Sequence, residues 1–233
     1  MEIEGIQKLT LIDYPGNLAC TLFIHGCNFK CGFCHNPELV VKPAEKNYSE
    51  EEILDFLRKR KKYLEGVCIT GGEPLINLDK NVLRKIRELG YLIKIDTNGS
   101  FPEKLKELID EKLVDYIAMD IKSGKEKYNE VVGVNVDLNK IEESIRMICG
   151  FGEYEFRTTV LREFHDKEEM KKIGEWLNEI CKKKPKKYFL QGFKNKGKFV
   201  DSSYKVKKDL EKEYLNKLKG IAEDYFEIVE VRV

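Results

Sequence analysis

The amino-acid pattern predicts an α/β protein, an open partial (β/α)6 barrel of TIM-like architecture in a single domain spanning residues 1–233. Short apolar runs alternate with amphipathic stretches of ten to sixteen residues, the signature of βαβ units around a parallel sheet. About six such units fit the chain, short of the eight that close a full barrel. Unusual polar clusters recur at the C-terminal ends of the predicted strands, the edge on which such barrels assemble their sites.

Leu18 to Ile24 reads as the first strand and stops just before a cysteine-rich loop. Ser49 to Leu64 reads as a helix, with Ser49 as N-cap and Glu52 completing a capping box. A strand over Gly66 to Thr70 leads into Gly71-Gly72-Glu73-Pro74, and a helix follows over Asp79 to Leu89. The strand Tyr91 to Asp96 closes on Thr97-Asn98-Gly99, and Pro102 starts a helix that runs to Lys112. Asp115 to Ile121 is the next strand, ending at Lys122 and Ser123. The pattern continues with helix Leu138 to Cys149, strand Tyr154 to Val160, helix Lys167 to Cys181 and strand Lys187 to Leu190. Helix Val206 to Leu218 and strand Glu227 to Val233 complete it.

Charged residues make up 36% of the chain, yet the net charge is only +1, so no overall basic surface invites nucleic acid. The lysine run Lys182-Lys183-Lys184-Pro185-Lys186-Lys187 reads as a solvated helix end and turn, because lysines suit a helix C-terminus. Apolar runs such as Ala19 to Ile24 are far too short to span a bilayer. Met1 is followed by Glu2 and Glu4 with no signal peptide, which places the protein in the cytoplasm without a membrane partner. Lys and Glu dominate the charges while Gln7 and Gln191 are the only glutamines, a bias of the hyperthermophile type.

Cys27, Cys31 and Cys34 fall within eight residues at C-x3-C-x2-C spacing. Three thiolates hold three corners of an iron–sulfur cube, whereas a full protein set has four. The other cysteines, Cys20, Cys68, Cys149 and Cys181, are scattered singly, and Cys20 and Cys68 lie in apolar runs as small core residues. A structural zinc site needs His35 as a fourth ligand, and adjacency to Cys34 makes that tetrahedron awkward. Cys31-Gly32-Phe33-Cys34-His35 also matches the c-type haem attachment pattern, which leaves Cys27 unexplained. A disulfide fits poorly with a cytoplasmic chain.

Each remaining motif has a plain reading beside the functional one. Gly71-Gly72-Glu73-Pro74 is a βα turn, or a place where the backbone approaches a ligand closely and a carboxylate meets an ammonium group. Asn98-Gly99 is a turn, and Asp120 with Lys122 is a pair on one face of a strand end.

Together the three cysteines, Phe33 just before the third of them, and the GGEP run at Gly71, Gly72 and Glu73 resemble the signature of radical S-adenosylmethionine (SAM) enzymes. Asp13-Tyr14-Pro15-Gly16, Phe23-Ile24-His25-Gly26-Cys27-Asn28 and Cys34-His35-Asn36-Pro37 narrow the likeness to the glycyl-radical-enzyme activases. The likeness is strongest to the anaerobic ribonucleoside-triphosphate reductase activating proteins. The resemblance implies the open partial barrel of the radical SAM type and a [4Fe–4S] cluster on Cys27, Cys31 and Cys34. It also implies SAM held near Phe33, Gly71, Gly72, Glu73, Asp96, Asn98, Asp120 and Lys122, with Arg157 and Thr159 facing the same cavity. It further implies reductive cleavage of SAM and transfer of the radical to a glycine of a separate enzyme. The electron would come from a donor such as flavodoxin or ferredoxin, and no catalytic residue is needed beyond the cluster and SAM ligands. One departure stands out: pyruvate formate-lyase activases carry a histidine after the sixth strand, where this chain has Gln191, Phe193 and Lys194. The open alternatives are a radical SAM enzyme acting on a small molecule, such as a 7-carboxy-7-deazaguanine synthase, and a non-catalytic zinc-binding protein.

Overall fold

A strand that the local pattern does not announce opens the sheet. In the computed structural model, which describes residues 1–44 and 47–232, β1 (Ile3–Thr10) runs antiparallel to β2 (Ala19–Ile24). Residues 5–9 of β1 are partly or fully exposed, so the strand lacks the clean alternation that marks a half-buried strand. Its order comes from the ladder to β2.

Four further pairs are parallel, as the βαβ rhythm requires. β2 pairs with β3 (Gly66–Gly71), and β3 pairs with β4 (Leu92–Thr97). Further along, β6 (Tyr154–Val160) pairs with β7 (Lys187–Gly192), and β7 with β8 (Ile228–Arg232). Among the described residues eight strands follow one another in chain order, with β5 (Tyr116–Asp120) in the middle. The expected α/β class with a mostly parallel sheet therefore holds. Val233, assigned to the last strand from sequence, lies outside the described residues.

The chain gathers into two compact units. The first holds residues 1–28, 36–97 and 103–117, and the second holds 29–35, 98–102 and the chain from Ala118 onward. In the first unit, α1 (Pro37–Val41), α2 (Glu50–Arg60), α3 (Lys80–Glu88) and most of α4 (Pro102–Asp110) accompany β1 to β4. Val67, Cys68, Ile69, Ile93 and Ile95 are completely buried, the continuous apolar run expected of parallel strands covered on both faces. The capping box forms as predicted, with the Ser49 backbone N–H donating to Glu52 Oε2 and the Glu52 N–H donating to Ser49 Oγ.

The second unit carries α5 (Tyr128–Val132), α6 (Leu138–Gly150), α7 (Lys167–Cys181) and α8 (Lys212–Ala222) beside β6 to β8. Strand β6 and helix α7 match their sequence assignments residue for residue. The last helix does not. It begins at Lys212 instead of Val206, because Val206 is 86% exposed and the buried stripe starts only at Leu210 and Leu215. Ser202–Val206 forms a 3-10 turn capped by Asp201.

Two cysteines that look isolated in sequence meet in this unit. Cys149, near the end of α6, and Cys181, the last residue of α7, form a disulfide across 32 residues of chain, with Cα atoms 5.6 Å apart. This corrects the reading of Cys149 and Cys181 as scattered single cysteines, while Cys27, Cys31 and Cys34 stay outside any disulfide. Closing a loop of this length contributes about 3–4 kcal/mol in the chain-entropy account. Cys149→Ser is accordingly expected to lower the thermal midpoint by about 10 °C and to abolish its sensitivity to reductant. Equal midpoints for the variant and the oxidised parent would show that the bond carries no stability. Among the described residues no helix is long and apolar enough to cross a membrane.

Candidate active site

In the first unit the cysteine loop leaves β2 through a backbone clamp. Gly26 takes a positive φ of +95°, and its N–H donates to Leu39 O at 2.9 Å. Two strand-end glycines lie directly against this turn. The Gly72 N–H donates to Ile24 O (3.0 Å) and the Glu73 N–H to Gly26 O (2.7 Å). A Cβ on Gly72 would stand 2.0 Å from Gly26 O and 3.2 Å from Cys27 Cβ. The glycines of the GGEP run thus let one backbone approach another, and so hold the loop that carries Cys27.

Glu73 is completely buried. Its Oε1 accepts from the Thr97 hydroxyl at 2.8 Å and from the Leu75 N–H at 3.2 Å, which ties this turn to the end of β4. Asp96, one residue before Thr97, pairs with Lys94 and has the Cys68 sulfur 3.8 Å from its Oδ1. Lys94 was not singled out from sequence. The available signal was a lysine two positions before an aspartate in an otherwise apolar strand.

In the second unit Cys31 and Cys34 sit in a tight turn, with the Cys34 N–H donating to Cys31 O at 3.0 Å. The Lys30 N–H is held by Val132 O, and the carbonyls of Gly32 and Cys34 are held by the N–H groups of Asp201 and Val200. Phe33 is buried edge-on to Tyr204, with ring centroids 6.2 Å apart. His35 is occupied elsewhere: its Nδ1 lies 3.0 Å from Lys196 O, and its ring packs on Phe193 and Phe199. Among the described residues no group of three His, Cys, Asp or Glu side chains is placed to hold a single metal ion. The engagement of His35 with Lys196 O and the two phenylalanine rings opposes the zinc reading that recruits it.

At the C-terminal end of β5, Asp120 Oδ2 meets Lys122 Nζ at 2.9 Å and Asp120 Oδ1 meets Arg157 Nε at 2.8 Å. Burial opposes ionisation of Asp120, but Arg157 and Lys122 outweigh it and hold the carboxyl well below the usual range. Lys122 likewise overcomes its burial through Asp120 and stays charged. Burial pushes the Cys31 thiol up to about 11, with the Lys122 cation pulling the other way. Asn98 Oδ1 accepts from the backbone and hydroxyl of Ser100, an Asx turn consistent with its plain reading.

The sequence matches the model of the radical SAM superfamily over residues 21–189. This chain belongs to the radical SAM superfamily. A Methanocaldococcus jannaschii protein, named provisionally as a glycyl-radical enzyme activating enzyme, is 32% identical over 240 residues, covering 99% of this chain and 95% of that protein. A pyruvate formate-lyase-activating enzyme of Clostridium pasteurianum is 32% identical over 126 residues, 52% of each. The crystal structure of Streptococcus suis SuiB bound to S-adenosylmethionine aligns with a TM-score of 0.69 at 18% identity, a likeness of fold. That alignment covers 89% of this chain and 48% of SuiB.

Radical SAM enzymes use a [4Fe–4S] cluster and SAM, and the donor set here suits both. Cys27, Cys31 and Cys34 are thiols outside any disulfide, the ligand type such clusters take. An ionised carboxylate flanked by two cations, as at Asp120, matches a ligand carrying both an ammonium and a carboxylate group.

One buried histidine bonds to the backbone of Lys122. The Leu161 N–H donates to His165 Nδ1 (3.0 Å), so the ring proton sits on Nε2 and donates to Lys122 O at 2.8 Å. Burial holds the His165 pKa below its ordinary 6.5, partly offset by its bond to Lys122 O and by Glu169, while Lys127 adds to the lowering. The folded state therefore favours the neutral ring, and the unfolded chain binds more protons once the pH drops below about 6.5. Stability should be complete above that value and fall as the pH decreases towards the folded pKa, by up to about 1.4 kcal/mol per pH unit. Urea midpoints at pH 7 and pH 5 should differ less in His165→Gln than in the parent. An unchanged difference would remove His165 from the acid response.

Proposed function

We propose that this protein is a glycyl-radical-enzyme activase and that its partner is an anaerobic ribonucleoside-triphosphate reductase. The observation that carries the reading is 32% identity along 99% of the chain to a protein named for glycyl-radical activation, together with the C-x3-C-x2-C segment. The Asp-Tyr-Pro-Gly and Cys-His-Asn-Pro runs support the choice of reductase. In this reading Cys27, Cys31 and Cys34 ligate the cluster. Phe33, Gly71, Gly72, Glu73, Asp96, Asn98, Asp120 and Lys122 surround SAM, and the whole of residues 1–233 acts as one radical SAM domain in the cytoplasm.

The bound cofactors supply one-electron chemistry fed by a donor of the flavodoxin or ferredoxin class. The protein's own part is positional. Gly72 and Glu73 hold the backbone of the Cys27 loop, and the 200–204 segment holds the loop of Cys31 and Cys34. Arg157 and Lys122 keep Asp120 ionised.

The test is anaerobic reconstitution with iron and sulfide, then reduction with dithionite in the presence of SAM and the purified reductase. Formation of 5′-deoxyadenosine with a glycyl-radical electron paramagnetic resonance doublet on the reductase is the expected result. Cleavage of SAM without that doublet would overturn the choice of partner. Absence of cleavage by a protein carrying an intact cluster, with the reductase present, would overturn the activase reading.

A further inference from the structure

We propose that Lys94 is a positioning residue for SAM, acting through Asp96; this rests on the placement of Asp96 in the SAM pocket. Lys94 stands in the middle of β4, directly opposite Cys68 in the parallel register with β3. Residues two apart on a strand share a face, so Lys94 and Asp96 project the same way, with Asp96 one step closer to the strand's C-terminal end. The Lys94 side chain is only 1% exposed, whereas that of Asp96 is 13% exposed.

Asp96, Cys68 and Tyr116 lie around the Lys94 ammonium. It pairs with Asp96 Oδ1, lies 3.9 Å from Cys68 Sγ, and sits 5.8 Å from the centroid of the Tyr116 ring. The Tyr116 ring is packed in turn on Tyr14. Cys68 also reaches Asp96 Oδ1, at 3.8 Å, so the inner oxygen of the carboxylate is gripped from two strands. In the register, Thr21 of β2 lies beside Cys68, and its hydroxyl donates to Asp13 at 2.6 Å. A polar row thus crosses β2, β3 and β4 where an interior layer of apolar side chains is the usual filling.

Stability does not account for the lysine. Replacing a buried ion pair with apolar side chains of similar volume is often neutral or stabilising, so the charge is better explained by what it holds. Lys94 fixes the rotation of the Asp96 carboxylate and its height at the strand end. A group that contacts a ligand is accurate only when a locked neighbour supports it.

The experiment compares the cluster-reconstituted parent with Lys94→Met, Asp96→Asn and the double variant. SAM dissociation constants come from equilibrium dialysis, and KM and kcat from 5′-deoxyadenosine formation. Lys94→Met is expected to weaken SAM binding by about tenfold, the size that supporting partners of ligating groups carry. The loss should fall on KM for SAM more than on kcat. Asp96→Asn should weaken binding as well, and the double variant should be no worse than the poorer single one, because the two act as a unit.

Weakened binding in Asp96→Asn with parental binding in Lys94→Met would overturn the role of Lys94, as would strictly additive losses. Parental SAM affinity in Asp96→Asn would instead overturn the placement of Asp96. Should Lys94→Met not fold, the double variant, which buries no unpaired charge, and Lys94→Gln carry the same comparison. Parental affinity in Lys94→Gln beside weakened binding in Asp96→Asn then sinks the proposal, and a matching loss supports it.

Discussion

Cys31→Ala is expected to fold, to take up little iron on anaerobic reconstitution, and to lose SAM cleavage by at least about 100-fold, beyond the effect of merely disturbing a ligand's support. The side chain is only 7% exposed, and its thiol is raised to about 11 by burial despite the nearby Lys122. Such a group gains little as a lone core thiol and much as a thiolate ligand beside a cation. Cys20→Ala is the matched control. Cys20 is completely buried in β2 with its thiol pushed up to about 12 by burial, so its loss should lower stability and leave iron content intact. Iron uptake by Cys31→Ala equal to that of the parent would remove Cys31 from the ligand set.

Gly72→Ala carries the second large effect, and its cause is steric. The new methyl group would fall 2.0 Å from the oxygen and 2.6 Å from the carbon of the Gly26 carbonyl, both backbone atoms. No rotamer change relieves such a clash, so the turn itself must move, at a cost of about 3 kcal/mol. The displacement acts on the residue next to Cys27, and so cluster loading should fall together with the thermal midpoint. Gly150→Ala makes the contrast. Apart from its chain neighbours and its own helix backbone, no atom among the described residues lies within 4 Å of the added carbon at the end of α6, and the change should be neutral or mildly stabilising. A Gly72→Ala protein with parental melting and parental iron content would show that the GGEP glycines have room to spare.

What was legible in the sequence is what depends on near neighbours. The capping box needs only Ser49 and Glu52, four positions that a single helical turn brings together. The periodicity of α7 and the apolar run of β6 each lie within one element, and both matched to the residue. The C-x3-C-x2-C spacing and the GGEP run are likewise contiguous, which is why the family was readable from them. The error at α8 has a local cause too: Val206 extends an apolar rhythm that burial does not use.

The other features arise from residues far apart in the chain. Strand β1 is ordered by its ladder to β2 and not by its own alternation. Arg157 reaches Asp120 across 37 residues, and Thr97 reaches Glu73 across 24. Cys149 and Cys181 look like isolated core cysteines until α6 and α7 bring them together. The close approach of Gly72 to the Gly26 carbonyl likewise joins two turns far apart in the chain. By itself, then, the sequence determined the α/β class, the superfamily and the residues that carry its motifs, because those signals are short-range patterns of spacing and polarity. Only the tertiary structure decided which charges face one another, which turn the glycines clamp and where Lys94 spends its ammonium. Those outcomes depend on sheet register and helix packing, which no local window of residues contains.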